Sequence, residues 1–287
     1  MNDMQQIQNP AEMQELGLVW RREGLTVGLV PTMGYWHEGH LSLMNWARER
    51  CDVLVTSIFV NPTQFGPGED LENYPSDLAR DSALARECGV DVLFTPVKDE
   101  MYLPEHGTWV NVPELTRNLC GRSRPGHFQG VATVVCKLFN LVQPTFAAFG
   151  EKDWQQLAVI RKMTRELDIP VRVEGRPIVR EADGLAMSSR NVYLTPEERA
   201  VAPHIQKGLC LLEDLIRSGE GDATVLRKAV QAYYDKHLPT GRVDYLELVD
   251  PVRIETVEQV RSNVLAAVAM RLGKARLIDN KYITVER

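Results

Sequence analysis

Hydrophobic positions in the first 175 residues fall into two kinds of stretch. Short apolar runs at Thr26–Val30, Val53–Val60, Val90–Pro96, Thr145–Phe149 and Val171–Glu174 predict buried strands. Between them lie runs whose apolar residues recur at helical spacing. Met13, Leu16 and Trp20 follow the start signal Asn9-Pro10 and stop at Gly24. His40–Arg50, Ser76–Gly89, Phe128–Val142 and a segment from Gly150 to Leu167 complete the helical set. Lys98–Gly126 is less regular, with a short strand expected at Trp109–Val112. Strands alternating with helices of this length imply an α/β fold with a doubly wound, Rossmann-like parallel sheet.

Beyond Arg176 the rhythm changes. Pro196–Ser218 and Ala223–His237 predict helices, and strand-like runs follow at Tyr245–Val249, Val264–Met270 and Arg276–Ile278. We therefore expect two domains: a catalytic one at 1–176 and a smaller α+β one at 177–287. The second would carry the Met187-Ser188-Ser189-Arg190 loop and cover the site. The turn Gly175-Arg176-Pro177 marks the boundary.

Composition narrows the functional classes. The 287 residues are 44% hydrophobic and 25% charged, enough for a core without disulfide or metal staples. A net charge of −6 argues against a broad nucleic-acid surface. The five cysteines are scattered without a C-x-x-C pair, so neither a disulfide framework nor a zinc site is expected. The polar first ten residues lack an export signal, and no apolar stretch approaches membrane-spanning length. A cytoplasmic protein with no nucleic-acid or membrane partner is the expectation.

Candidate chemistry gathers where strands end. After the Thr26–Val30 strand, Pro31 is expected to stop the ladder and Gly34 to permit positive φ or close ligand approach. His37-Glu38-Gly39-His40 then opens a helix, placing two imidazoles at i, i+3 beside free N–H groups suited to phosphate. This tetrad resembles the HIGH signature of adenylyl-transferring enzymes. Gly150-Glu151-Lys152-Asp153 occupies a similar junction: Lys152 suits phosphate charge, and Asp153 suits ribose hydroxyls. Met187-Ser188-Ser189-Arg190-Asn191 combines hydroxyls with a guanidinium, as a phosphate clamp would. It is similar to the second signature of HIGH enzymes, with Ser189-Arg190 replacing the Ser-Lys pair.

Asn61-Pro62-Thr63-Gln64-Phe65 offers uncharged amides for a small hydroxy acid or, equally, an Asx-type turn. Gly121–Phe128 has Walker-like glycine spacing, but His127-Phe128 stands where Lys-Ser/Thr is required, and no G-x-G-x-x-G occurs. His106, His204 and His237 read as structural or solvated.

Taken together, Pro31–Gly34, His37–His40, Phe59–Phe65, Arg124–Phe128, Phe149–Asp153 and Asp183–Asn191 resemble the pantothenate synthetase family, in order and spacing, over about residues 25–200. The resemblance implies ATP-dependent condensation of pantoate with β-alanine through a pantoyl adenylate, releasing AMP and pyrophosphate. It implies ATP contacts at Met33, Gly34, Tyr35, Trp36, His37, Glu38, Gly39 and His40. Further ATP contacts are implied at Gly150, Glu151, Lys152, Asp153, Val179, Met187, Ser188, Ser189 and Arg190. His40 would act as acid, with His37 and Lys152 assisting at the phosphates. Gln64, Gln156, Asn61 and His127 would take pantoate or β-alanine. Mg²⁺ would accompany ATP through phosphate oxygens and water, with Asp81 as an outer contact, and the enzyme would be a homodimer. Tyr35-Trp36 departs from the smaller or aliphatic residues usual in the family.

Two other classes share parts of this pattern. Another adenylyl transferase would retain AMP in its product, and a regulatory nucleotide-binding module would show no turnover. Asn61–Phe65 and Arg124–Phe128 favour the synthetase over the first, and the combined His, Lys and Ser-Ser-Arg set over the second.

Overall fold

A computed structural model of the chain describes residues 4–285; Met1–Asp3, Glu286 and Arg287 lie outside it. Strand β1 (Gln5–Ile7) precedes α1 (Pro10–Arg22), β2 (Val27–Thr32), α2 (Glu38–Arg48) and β3 (Val53–Ile58). Then come α3 (Leu78–Glu87), β4 (Val92–Phe94), the single turn α4 (Lys98–Met101) and the short α5 (Leu119–Ser123). α6 (His127–Val142), β5 (Phe146–Gly150), α7 (Trp154–Glu166) and β6 (Arg172–Arg176) follow. The last third holds α8 (Pro196–Val201), α9 (His204–Arg217), α10 (Ala223–His237), β7 (Arg242–Val249), β8 (Val264–Leu272) and β9 (Ala275–Ile283).

Two compact units result. Among the described residues, the first comprises 4–112, 124–151 and 156–177; the second comprises 113–123, 152–155 and 178–285. In the first, six strands run in the order β1-β4-β3-β2-β5-β6, every pair parallel. This is the doubly wound α/β sheet expected. Successive strands add outward on either side of β2, so the carboxyl ends of β2 and β5 flank the point where strand order reverses, the ligand position in such sheets. Leu29, Val30, Leu54, Leu93, Phe146 and Ala148 are buried in the sheet, and Trp36, Met44, Ala47 and Ala85 pack among its core residues.

In the second unit β7, β8 and β9 form an antiparallel sheet. Ile205, Leu209 and Leu212 of α9 and Leu226, Val230 and Tyr234 of α10 share one core with its strands. Buried Gln155 ties two short segments into this unit. Its amide donates to the carbonyls of Leu115 and Asn118 and accepts from the Cys120 N–H. Among the described residues no helix is long and apolar enough to cross a membrane.

Several local expectations are corrected. Pro31 does not stop the ladder: it pairs with Ser57 inside β2. Val27 turns its carbonyl towards Thr145, at the start of β5, so alternation turns position 31 the same way. The β2–β5 pairs end at Leu29, and at Pro31 the missing N–H therefore removes no ladder bond. Trp109–Val112 forms no strand; the Val110 N–H is taken instead by the Thr133 hydroxyl. The expected helix Pro196–Ser218 is broken after Val201, with Pro203 at the start of α9, where a ring without an N–H cannot continue the preceding helix. Strand β1 was not expected, because three residues at a sheet edge carry no periodic signal. Helix α2 begins at Glu38, two residues before the expected start.

Candidate active site

Beyond β2 the chain turns sharply, with Gly34 at φ 88° and Tyr35 at φ 53°. Gly34 is required here: a Cβ would stand 3.0 Å from Ile58 and 3.2 Å from an Asp81 oxygen. Asp81, on α3, stitches the turn in place. Its two carboxylate oxygens accept the N–H groups of Tyr35 (2.7 Å) and Trp36 (2.9 Å). Burial pushes its carboxyl above the ordinary value, and these two N–H bonds oppose that rise without cancelling it. Asp81 was expected as an outer metal contact. It is 1% exposed and committed to this turn, so its role here is to hold the backbone.

Trp36 also differs from expectation. Its side chain is 1% exposed in the core, and its indole N–H donates to the Thr32 hydroxyl at 2.8 Å. The indole is therefore a core group, which leaves the backbone of Trp36 as the part facing the turn. Arg80 donates to the Trp36 carbonyl at 2.9 Å and holds the same turn from outside.

His37 caps α2. Its Nδ1 accepts the Gly39 N–H at 3.1 Å, while His40 Nδ1 accepts the His37 N–H at 3.3 Å. The two side chains thus form a reciprocal capping box, a role usually filled by Ser or Thr with Glu. Since both Nδ1 atoms accept, the proton of each neutral ring sits on Nε2. The ring centroids are 4.2 Å apart. Both rings lie at a helix N-terminus, whose N–H groups and partial positive charge suit an anion. Glu38 is exposed in the first turn of the helix.

The turn after β3 is built around Asn61, which is 1% exposed. Its Nδ2 donates to Gln64 Oε1 and to the Gly130 carbonyl, both at 3.1 Å. Its Oδ1 accepts from the Thr63 hydroxyl at 2.9 Å and from the Thr63 N–H at 3.4 Å. Asn61, expected to bind substrate, thus hydrogen-bonds the turn and α6 and orients Gln64. Gln64 Nε2 lies 3.1 Å from Met33 Sδ, so the donor end of the amide points towards the residue that opens the β2 turn. Gly130 lets α6 approach this closely, because a Cβ there would collide with the Thr63 carbonyl.

His127 and Arg124 support the Gln64 backbone. His127 Nδ1 donates to the Gln64 carbonyl at 2.8 Å and Nε2 accepts from Arg124 at 3.0 Å. Arg124 also grips Glu69 with two bonds of 2.7 Å. Burial pushes the Glu69 carboxyl up, but the Arg124 hydrogen bonds and charge outweigh it and hold the group below the usual range. Arg124 and Glu69 had no role in the sequence reading, although Arg124 lies in the quoted Arg124–Phe128 segment. At the end of β5, Gly150 has open space around it, and Glu151–Asp153 form a 3₁₀ turn leading into α7, where Gln156 is half-buried.

In the second unit, a tight hairpin carries the Ser-Ser-Arg segment. The Met187 N–H donates to the Val179 carbonyl at 3.0 Å, and Arg180 bridges Ala186, with Gly184 (φ 96°) at the turn. Ser188 then caps a 3₁₀ turn, its hydroxyl accepting from the Arg190 N–H at 3.3 Å; Ser189 is buried and Arg190 half-buried. Arg199 braces the hairpin through Glu181 (2.8 Å) and Asp183 (2.6 Å), and Asn191 donates to Glu181 at 3.1 Å. Lys152 belongs to this unit too, and its carbonyl accepts the Asn280 amide at 2.9 Å.

The pantoate–β-alanine ligase family model matches residues 5–282. The chain belongs to this family. The ligase is 59% identical over 282 residues to the pantothenate synthetase of Maridesulfovibrio salexigens, covering 98% of this chain and all of that one. The crystal structure of the Thermus thermophilus pantothenate synthetase superposes with a TM-score of 0.90 at 46% identity, covering 98% of this chain and 100% of that one. The Francisella tularensis pantoate–β-alanine ligase, solved with a β,γ-ATP compound and β-alanine, gives a TM-score of 0.79 at 30% identity, covering 98% of each chain. The reaction of this ligase joins pantoate to β-alanine.

Proposed function

We propose that the ligase works through a pantoyl adenylate, with the His37–His40 capping pair as its electrostatic centre. The pantoate carboxylate oxygen attacks the α-phosphorus of ATP, the α–β phosphoanhydride bond breaks, and pyrophosphate leaves. The β-alanine amine then attacks the acyl carbon, forming the amide and releasing AMP and a proton. Adenylation converts a poor acyl donor into a reactive one, so the protein needs no covalent nucleophile. It must align the reactants, balance phosphate charge and exclude water from the mixed anhydride.

The observation that carries this reading is the pair of occupied Nδ1 atoms. With Nδ1 of His37 and His40 accepting backbone N–H groups, each neutral ring carries its proton on Nε2, the atom that donates to phosphate in this reading. His40 is the residue we assign as acid, with His37 as its phosphate-binding companion. Lys152, Val179 and Met187–Arg190 take the nucleotide, Lys152 and Arg190 supplying positive charge. The backbone of Met33–Gly39 and Gly150–Asp153 contributes further nucleotide contacts. Gln64, its amide oriented by Asn61, and Gln156 bind pantoate, and His127 lines the β-alanine side.

Among the described residues no three His, Cys, Asp or Glu side chains stand together as a metal cage. Mg²⁺ enters this reading as the counter-ion of ATP, held by phosphate oxygens and water. A homodimer in a reducing cytoplasm completes the proposal; the five cysteines are free. Incubation with pantoate, Mg-ATP and labelled pyrophosphate, without β-alanine, should move label into ATP. Formation of ADP and phosphate during amide synthesis would instead indicate an acyl phosphate and overturn the adenylate.

A further inference from the structure

Asp279 and Asn280, adjacent on β9, are 4% and 6% exposed, and neither lies in any segment discussed so far as binding substrate. Each is tied to a different part of the second unit's cation set. Asp279 receives both arms of Arg180, at 2.7 and 2.9 Å, and Arg180 belongs to the hairpin that ends in Met187–Arg190. Arg180 also donates to the Gly184 carbonyl at 3.1 Å, so one guanidinium joins β9 to the turn of the hairpin. Asn280 sends its amide to the Lys152 carbonyl at 2.9 Å, and its own N–H is fixed by Asp279 Oδ1 at 2.8 Å.

We propose that Asp279-Asn280 is a positioning pair for the adenylation half-reaction. It holds the backbone bearing Lys152 and the hairpin bearing Ser188–Arg190 at a fixed separation on one rigid strand. This rests on the nucleotide role assigned above to Lys152 and Arg190. The physical need is plain. Both cations sit on turns only a few residues long, outside any long helix or strand, and the long Lys152 side chain adds freedom of its own. Displacing a charge-stabilising group by about 1 Å can cost up to 10²-fold in rate. An antiparallel strand hydrogen-bonded along its length to β8 is a firmer support than the turns themselves. Neither Asp279 nor Asn280 touches substrate in this scheme.

A purely structural role, satisfying buried polar groups, makes a different prediction: lower stability with both half-reactions affected alike. Asn280→Ala and the equally sized Asn280→Asp, which replaces the donor by an acceptor, separate the two. Each should raise the KM for ATP in pantoate-dependent pyrophosphate exchange by about 3- to 10-fold, as expected for one lost hydrogen bond. Amide formation from preformed pantoyl adenylate and β-alanine should change by less than about twofold. Arg180→Lys keeps the charge but loses the two-armed grip, and reads the same link from the hairpin side if an Asn280 variant fails to fold.

Equal loss in both half-reactions, or unchanged exchange in folded variants, would overturn the positioning role. Lys152→Ala is assayed in parallel. Intact exchange in that variant would remove the nucleotide assignment itself, and the positioning role with it. Crippled exchange there beside normal Asn280 variants would remove only the positioning role.

Discussion

His40 Nδ1 accepts the backbone N–H of His37 at 3.3 Å, so a side chain assigned to chemistry also closes the first turn of its own helix. His37 does the reciprocal job at the Gly39 N–H. Capping and catalysis can be separated at position 37, because Asn is a strong N-cap without an imidazole. His37→Asn should leave the unfolding free energy within about 1 kcal/mol of the parent. Pyrophosphate exchange should nevertheless fall by about 10²–10³ through loss of one preorganised donor. Chemical denaturation and exchange assays on the same preparation decide the matter; normal exchange would mean the pair only caps.

Lys152→Ala should cripple adenylate formation by a similar factor of about 10²–10³. Supplied with preformed pantoyl adenylate and β-alanine, the variant should recover most of its activity, because the triphosphate step is bypassed. Single-turnover measurements of each step test this. Equal loss in both would point to a fold defect or a role in amide formation.

Gly130→Ala pushes a methyl group into the Thr63 carbonyl and must move the turn that presents Gln64. We expect weaker pantoate binding with ATP binding nearly unchanged. Gln64→Ala should show the same selectivity, with a loss of about 0.5–1.5 kcal/mol for one neutral hydrogen-bonding group. Calorimetric titration with each ligand separates these effects; a larger loss for ATP would refute the assignment.

Glu69 supplies a pH test. Its carboxyl is held below the ordinary glutamate value of 4.5, so the folded protein binds this proton less tightly than the unfolded chain does. The Glu69–Arg124 contribution is therefore complete above about pH 4.5 and is lost as pH falls through the lower folded value. Glu69→Gln should cost about 1–2 kcal/mol at pH 7, and the gap between parent and variant should close below pH 4.5. Urea unfolding of both proteins across that range is the measurement. A gap that widens in acid would contradict the ion pair's role.

The first unit's architecture was readable because buried parallel strands are near-continuous apolar runs, as at Val53–Ile58 and Phe146–Gly150. The parts that escaped are those decided by distant partners. Asp81 stitches a turn 45 residues earlier in the chain, and nothing in its own helix marks that duty. Trp36 sits amid candidate ligand residues, yet Thr32 and the neighbouring core claim its indole. Asn61 read equally as a substrate amide and an Asx-type turn, and its bonds to Gln64 and Gly130, distant or side-chain partners, were not visible in that motif. A histidine cap at position 37 was hard to foresee, since Ser, Thr, Asp and Asn are the usual signals. Asp279-Asn280 carries no local motif, and its partners lie 99 and 128 residues away.

Pro31 has a consequence for the mouth of the sheet. Above Leu29 the two central strands are no longer zipped together, and position 31 turns the side that would bear its N–H towards β5. An ordinary residue would carry a hydrogen there, offering a further rung and a means of drawing the strands shut. Proline withholds that rung by covalent structure alone. Beside the Met33–His40 turn, where the strands part, the backbone of position 31 thus has no hydrogen with which to rejoin them.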